Sequence, residues 1–191
     1  MEDQFIISAD PGVQNFSVCV QRIDPSTKQM EIVHLELLEN TIHSLLEKAQ
    51  PCFNDQADFF ADYFEKLFKK YKPKNVCMER YQIRGFRASG SAAELINVML
   101  GICVSEARKL QIPFRLVIAS EWKNDFNRHS EIPLKELYTI IKKLPPHCID
   151  SMLIGWYNNK VDKSFYSKQN LLMFCGKLKR ILDNGFSCET D

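Results

Sequence analysis

The apolar positions of the chain switch from strand-like to helix-like spacing, beginning with two short runs, Phe5-Ile6-Ile7-Ser8-Ala9-Asp10 and Phe16-Ser17-Val18-Cys19-Val20, on either side of Pro11-Gly12. Apolar, β-branched runs flanking a Pro-Gly pair predict a hairpin bent at that pair, so that Asp10 closes the first strand. After the turn signal Asp24-Pro25-Ser26-Thr27, the run Met30-Glu31-Ile32-Val33-His34-Leu35-Glu36-Leu37 alternates in part and predicts a third strand. Residues 41–50 predict a short helix broken by Pro51. From Phe53 the apolar residues Ala57, Phe60, Ala61, Phe64, Leu67 and Phe68 recur at three-and-four spacing, an amphipathic helix that stops before Pro73. Its phenylalanine stripe reads as core.

Asn75-Val76-Cys77-Met78-Glu79 predicts a short buried strand that ends in an acid. The stretch from Arg80 to Ser91 mixes arginine, aromatic and glycine residues and reads as a mobile loop. Ser91-Ala92-Ala93-Glu94 fits a capping box, opening a long helix through Leu95, Ile96, Met99, Ile102, Cys103, Ala107 and Leu110. Residues 114–118 predict a further strand. Pro133 then suits a helix's first turn, ahead of the face Leu134, Leu137, Tyr138 and Ile141. Beyond Pro145-Pro146 another helix begins at His147, and a last one carries Leu171, Leu172, Phe174, Cys175, Leu178, Ile181 and Leu182. An initial antiparallel meander followed by alternating helices and strands implies an α/β fold: a mixed sheet of three antiparallel and then parallel strands, with helices on both faces.

Composition narrows the classes. A length of 191 residues suits one domain with a full core, and no apolar run approaches the ~20 residues of a membrane span. The acidic start, Met1-Glu2-Asp3-Gln4, leads straight into a strand and does not look like a signal peptide. The 7 cysteines are scattered without a CxxC pair, so free thiols in a reducing, intracellular compartment are expected. Net charge is only +1, weak for a nucleic-acid binder, but basic residues cluster at Lys66, Lys69, Lys70, Lys72 and Lys74, at Arg80, Arg84 and Arg87, and at Lys177, Lys179 and Arg180. Such runs are compatible with a solvated face as well as with phosphate contacts.

The candidate chemistry sits at the predicted element ends. Taken alone, Asp10 reads as an acceptor in an Asp-Pro-Gly turn. A carboxylate buried at a strand end is otherwise compensated by an opposite charge such as a divalent cation. Glu79 ends the fourth strand, which can neighbour the first. His147 and Asp150 are three apart and project from one side of a helix's first turn. Hard oxygen donors in this number suit Mg²⁺ or Mn²⁺.

At these positions the chain resembles RuvC-type Holliday junction resolvases. Ile-Ile-Ser-Ala-Asp-Pro-Gly resembles the family's first motif, Cys-Met-Glu-Arg the second and His-Cys-Ile-Asp-Ser-Met the last. Asn15-Phe16-Ser17 and the arginines after Glu79 look more like the mitochondrial and poxviral branch. The resemblance covers roughly residues 5–158; the tail beyond Val161 and the modest net charge depart from the compact bacterial form. It implies an RNase H-like nuclease domain over residues 1–158, with residues 159–191 as a C-terminal helical extension packed on it.

The resemblance further implies that Asp10, Glu79 and Asp150 bind metal, with His147 as a fourth ligand or proton acceptor. Two Mg²⁺ ions, replaceable by Mn²⁺, would hydrolyse a phosphodiester and leave 5′-phosphate and 3′-hydroxyl ends. The implied substrate is a four-way DNA junction, cut by a homodimer joined through the helix of residues 91–110, where Gly101 allows close approach; a plain core helix is the other reading of that segment. Arg80, Tyr81, Arg84, Phe86 and Arg87 would probe the junction centre, the aromatics by stacking and the arginines on phosphate. Lys123, Arg128 and Lys135 lie where the family puts phosphate-binding bases. The alternatives are another RNase H-like nuclease acting on RNA–DNA hybrid or branched or flap DNA, a non-catalytic nucleic-acid-binding module, and an actin-like ATPase relative. The last lacks a second glycine-rich phosphate loop.

Overall fold

The alternation read from the sequence becomes two differently dressed faces of one sheet. The computed structural model describes residues 3–12, 15–26, 30–39, 53–80, 90–142 and 144–184. Strands β1 (Gln4–Asp10), β2 (Asn15–Ile23) and β3 (Met30–Glu39) form the antiparallel meander; β4 (Asn75–Glu79) and β5 (Phe114–Val117) extend it. The order is β3-β2-β1-β4-β5, and β4 and β5 run parallel to β1. Six α-helices accompany these strands among the described residues: α1 (Phe53–Tyr71), α2 (Gly90–Lys109), α3 (Ala119–His129), α4 (Leu134–Ile140), α5 (Pro146–Asn159) and α6 (Lys168–Asp183). None of them is long and apolar enough to cross a membrane.

Because strand side chains alternate, Ile7 and Ala9 of β1, Phe16, Val18 and Val20 of β2, and Val76 and Met78 of β4 share one face. They pack against Phe60, Phe64 and Phe68 of α1 and Ile96, Met99 and Cys103 of α2. The phenylalanine stripe is therefore core, with Phe16 meeting Phe60 and Phe64 edge-on, ring centroids 6.1 Å apart. Lys72, at φ 44°, takes the left-handed conformation that ends α1 just before Pro73. On the opposite face Cys19 and Cys77 join Trp122 and Phe126 of α3, Ile149, Leu153 and Trp156 of α5, and Leu171, Phe174 and Leu178 of α6.

That second face differs in one respect: a polar seam runs beneath α5. Ser8, Ser17, Gln21 and Ser151 are fully buried. Gln21 donates to the Met152 carbonyl at 3.0 Å, and the Ser17 and Ser151 hydroxyls are 3.0 Å apart. Buried polar groups must find such partners, and these fix where α5 lies along the hairpin. Gly155 permits the close crossing, since a Cβ there would stand 2.6 Å from Gln21 Nε2 and 2.7 Å from Ser8 Oγ. Gly155→Val is expected to destabilise the fold by about 2–3 kcal/mol through overpacking, lowering the melting temperature by roughly 4–12 °C. A melting curve unchanged from wild type would show that the seam yields freely.

The structure departs from the sequence reading in detail. It adds α3, which the sequence reading leaves unassigned. It also carries β3 to Glu39 and starts α2 at Gly90, so that Ser91 lies inside the first turn and not ahead of it as a cap. Pro133 is the residue before α4 and not its first turn. The expected helix over residues 41–50 lies outside the described residues. The five described cysteines, Cys19, Cys77, Cys103, Cys148 and Cys175, are buried and form no disulfide among the described residues. Burial pushes the thiols of Cys19 and Cys175 up to about 12, so both stay protonated and inert.

Candidate active site

Three element ends meet on the seam side of the sheet. Ala9 pairs with Met78 in the parallel ladder, so Asp10 and Glu79 follow side by side where β1 and β4 leave the sheet. Asp10 is 6 % exposed. It is followed by a turn so tight that a Cβ on Gly12 would sit 2.5 Å from the Asn15 carbonyl oxygen and 3.4 Å from His147 Cε1. The first turn of α5 enters from above: Pro145 precedes it, Pro146 sits at its start, and His147 and Asp150 point back at the strand ends.

Each acid has a protein partner. His147 Nδ1 lies 2.6 Å from Asp10 Oδ2. The Tyr138 hydroxyl of α4 donates to Asp150 Oδ1, and Lys123 Nζ of α3 stands 3.5 Å from Asp150 Oδ2. The indole N–H of Trp122 donates to Glu79 Oε2 at 2.8 Å.

The charges sense one another across the gap. Burial, then the negative charge of Asp10, pushes the Asp150 carboxyl up to about 7; Lys123 and the Tyr138 hydroxyl pull the other way, and Glu79 adds a smaller push. The hydrogen bond to Asp10 raises His147 above the ordinary imidazole range against the opposing effect of burial, with Asp10, Asp150 and Glu79 adding charge. Tyr138 is driven far above the ordinary phenol range, chiefly by burial and by Asp150, so at neutral pH it is a donor only.

Among the described residues no three His, Cys, Asp or Glu side chains already stand as a metal cage. The donor set nonetheless fits a hard divalent cation. The carboxylates of Asp10 and Glu79 close adjacent strands, His147 and Asp150 stand on the first turn of α5 beside them, and the charges of Asp10 and, more weakly, Glu79 add to burial in raising the Asp150 carboxyl.

The nucleic-acid candidates fare unevenly. Arg80 is exposed just past β4, with its backbone N–H on the Val117 carbonyl at 2.7 Å. Tyr81, Arg84, Phe86 and Arg87 lie outside the described residues. Lys123 belongs to the site itself, whereas Arg128 and Lys135 are exposed and bond to none of the four site residues among the described contacts. Sequence reasoning missed Trp122 and Tyr138 as site residues. Ala119, Trp122 and Phe126 do carry helical spacing, and that signal would have placed Trp122 beside Lys123 on a helix.

No protein-family model and no curated protein matches the chain by sequence. The fold is that of the RuvC-type Holliday junction resolvases, RNase H-like in its sheet and helices. RuvC of Thermus thermophilus superposes with a TM-score of 0.60 at 13% identity, covering 82% of this chain and 93% of that one. The same protein in complex with a Holliday junction substrate gives 0.58 at 13%, covering 82% and 92%. The yeast mitochondrial Holliday junction resolvase Ydc2 gives 0.54 at 20%, covering 92% of this chain and 83% of that one.

Proposed function

We propose that the chain is a metal-dependent endonuclease that resolves four-way DNA junctions. The observation that carries the reading is the placement of Asp10 and Glu79 on adjacent strand ends beneath His147 and Asp150, on a RuvC-type fold. In this reading residues 1–158 form the nuclease and residues 159–191 are its C-terminal extension, whose described part packs on it, since Leu171 and Phe174 share the core of Trp156.

Asp10, Glu79, Asp150 and His147 would hold two Mg²⁺ ions, or Mn²⁺ in their place. When bound, the ions supply Lewis-acid activation of water and of the phosphodiester, leaving 5′-phosphate and 3′-hydroxyl ends. The chain's own residues do the rest. Asp10 fixes the His147 ring through Nδ1, Tyr138 fixes the rotation of the Asp150 carboxylate, and Lys123 holds an ammonium beside it for incoming phosphate. Arg80, Arg84, Arg87, Arg128 and Lys135 would add phosphate contacts, while Tyr81 and Phe86 stack on bases at the open centre. Cutting two opposed strands calls for two sites. The exposed Val98 and Val104 on α2, with Gly101 facing open space, support a homodimer through that helix.

The test is incubation with a synthetic four-way junction, a linear duplex and an RNA–DNA hybrid, each with Mg²⁺ and with EDTA. Paired nicks in the junction, absent in EDTA, are expected. Cleavage of the hybrid alone would replace this reading with that of another RNase H-like nuclease.

A further inference from the structure

Trp122 meets two groups of the site at once, Glu79 and Lys123. Its indole is buried, 1 % exposed, between the sheet and α5. Its edge donates to Glu79 Oε2 at 2.8 Å, and its face carries the Lys123 ammonium 4.9 Å from the ring, which in turn reaches Asp150 Oδ2 at 3.5 Å. An indole N–H can only donate, so the contact fixes the Glu79 carboxylate as an acceptor. A ring locked by packing leaves that carboxylate little freedom to rotate, and a cation over the ring face is held by its quadrupole.

We propose that Trp122 is a positioning residue: it presets Glu79 for a divalent cation and seats Lys123 beside Asp150. The proposal rests on the reading of Glu79 as a cation ligand. Groups that orient a ligand in this way change metal affinity by about 10–100-fold when removed. Packing alone would predict a loss of stability without a change in cation dependence.

Trp122→Phe keeps the ring and removes the donor. Mn²⁺ binding to the DNA-free protein, read by calorimetry, is expected to weaken about tenfold or more. The Mg²⁺ concentration for half-maximal single-turnover cleavage should rise equally, with the rate at saturating Mg²⁺ within about threefold of wild type. A second measurement keeps the indole in place. Trp156 Nε1 has no hydrogen-bond partner among the described residues, so Trp156→Phe loses no such bond and leaves Trp122 as the only tryptophan. Its emission should then shift with Mg²⁺ in a saturable way, and Glu79→Gln should abolish the shift.

Wild-type affinity in Trp122→Phe, or Trp122 emission indifferent to Mg²⁺, overturns the positioning role. The emission readout decides even if Trp122→Phe does not fold. A wild-type protein that binds no Mn²⁺ overturns the cation-site reading itself, and this inference with it.

Discussion

Asp10→Asn is expected to slow cleavage of a four-way junction by about a thousandfold or more, while junction affinity measured in EDTA changes little. The amide keeps the shape of the side chain and an oxygen to accept from His147, which lies 2.6 Å from Asp10 Oδ2 in the native site. What it loses is the formal charge at the end of β1. Charge stabilisation by cations in phosphoryl chemistry is worth several kcal/mol, and about 4 kcal/mol corresponds to roughly three orders of magnitude in rate. In the proposed reading junction affinity rests on lysine and arginine contacts to phosphate, which the substitution leaves alone. Single-turnover rates, with binding measured by gel shift, separate the two quantities. An Asn variant that cuts at near wild-type rate in Mg²⁺ would remove Asp10 from the site; a joint loss of cutting and binding would point to disruption of the β1–β2 turn instead.

The sequence made the sheet and the placement of Asp10, Glu79 and Asp150 at element ends legible because both depend on local pattern, while their reading as a metal site came from the resemblance of the motifs. Alternation of Ile7 and Ala9 against Ser8 and Asp10 already assigns Asp10 to the face opposite the phenylalanine helix, and Val76 and Met78 against Cys77 and Glu79 do the same for β4. Pro145-Pro146 likewise marks the helix start that aims His147 and Asp150. Trp122 and Tyr138 were illegible as partners because their roles depend on long-range packing. Trp122 meets Glu79 across 43 positions of sequence, and Tyr138 sits among Leu134, Leu137 and Ile141, where an aromatic reads as core. The Tyr138 ring does pack there, and only the hydroxyl at its tip reaches Asp150. The buried seam of Ser8, Ser17 and Gln21 was hidden for the same reason, since polar residues in a strand read as its wet face until a helix covers them.

The site's own charges set the second large effect, a pH dependence. Asp150 and His147 both hold protons more tightly than their ordinary values, Asp150 up to about 7 and His147 above the usual imidazole range. Below these values the protonated forms dominate, and a proton must leave each group before it can ligate a cation. At a fixed, subsaturating Mg²⁺ concentration the cleavage rate is therefore expected to fall by about a hundredfold or more between roughly pH 7.5 and pH 5.5, more steeply than one proton would give. Because protons and cations compete, raising Mg²⁺ tenfold should move the midpoint down by about half a pH unit for two displaced protons. The protein's other partners tune the same midpoint. Lys123 and the Tyr138 hydroxyl both favour the ionised Asp150, so Lys123→Met and Tyr138→Phe should each move the midpoint up, lysine by more. A profile flat from pH 5.5 to 8, or a midpoint indifferent to Mg²⁺, would mean that neither Asp150 nor His147 exchanges a proton for a cation.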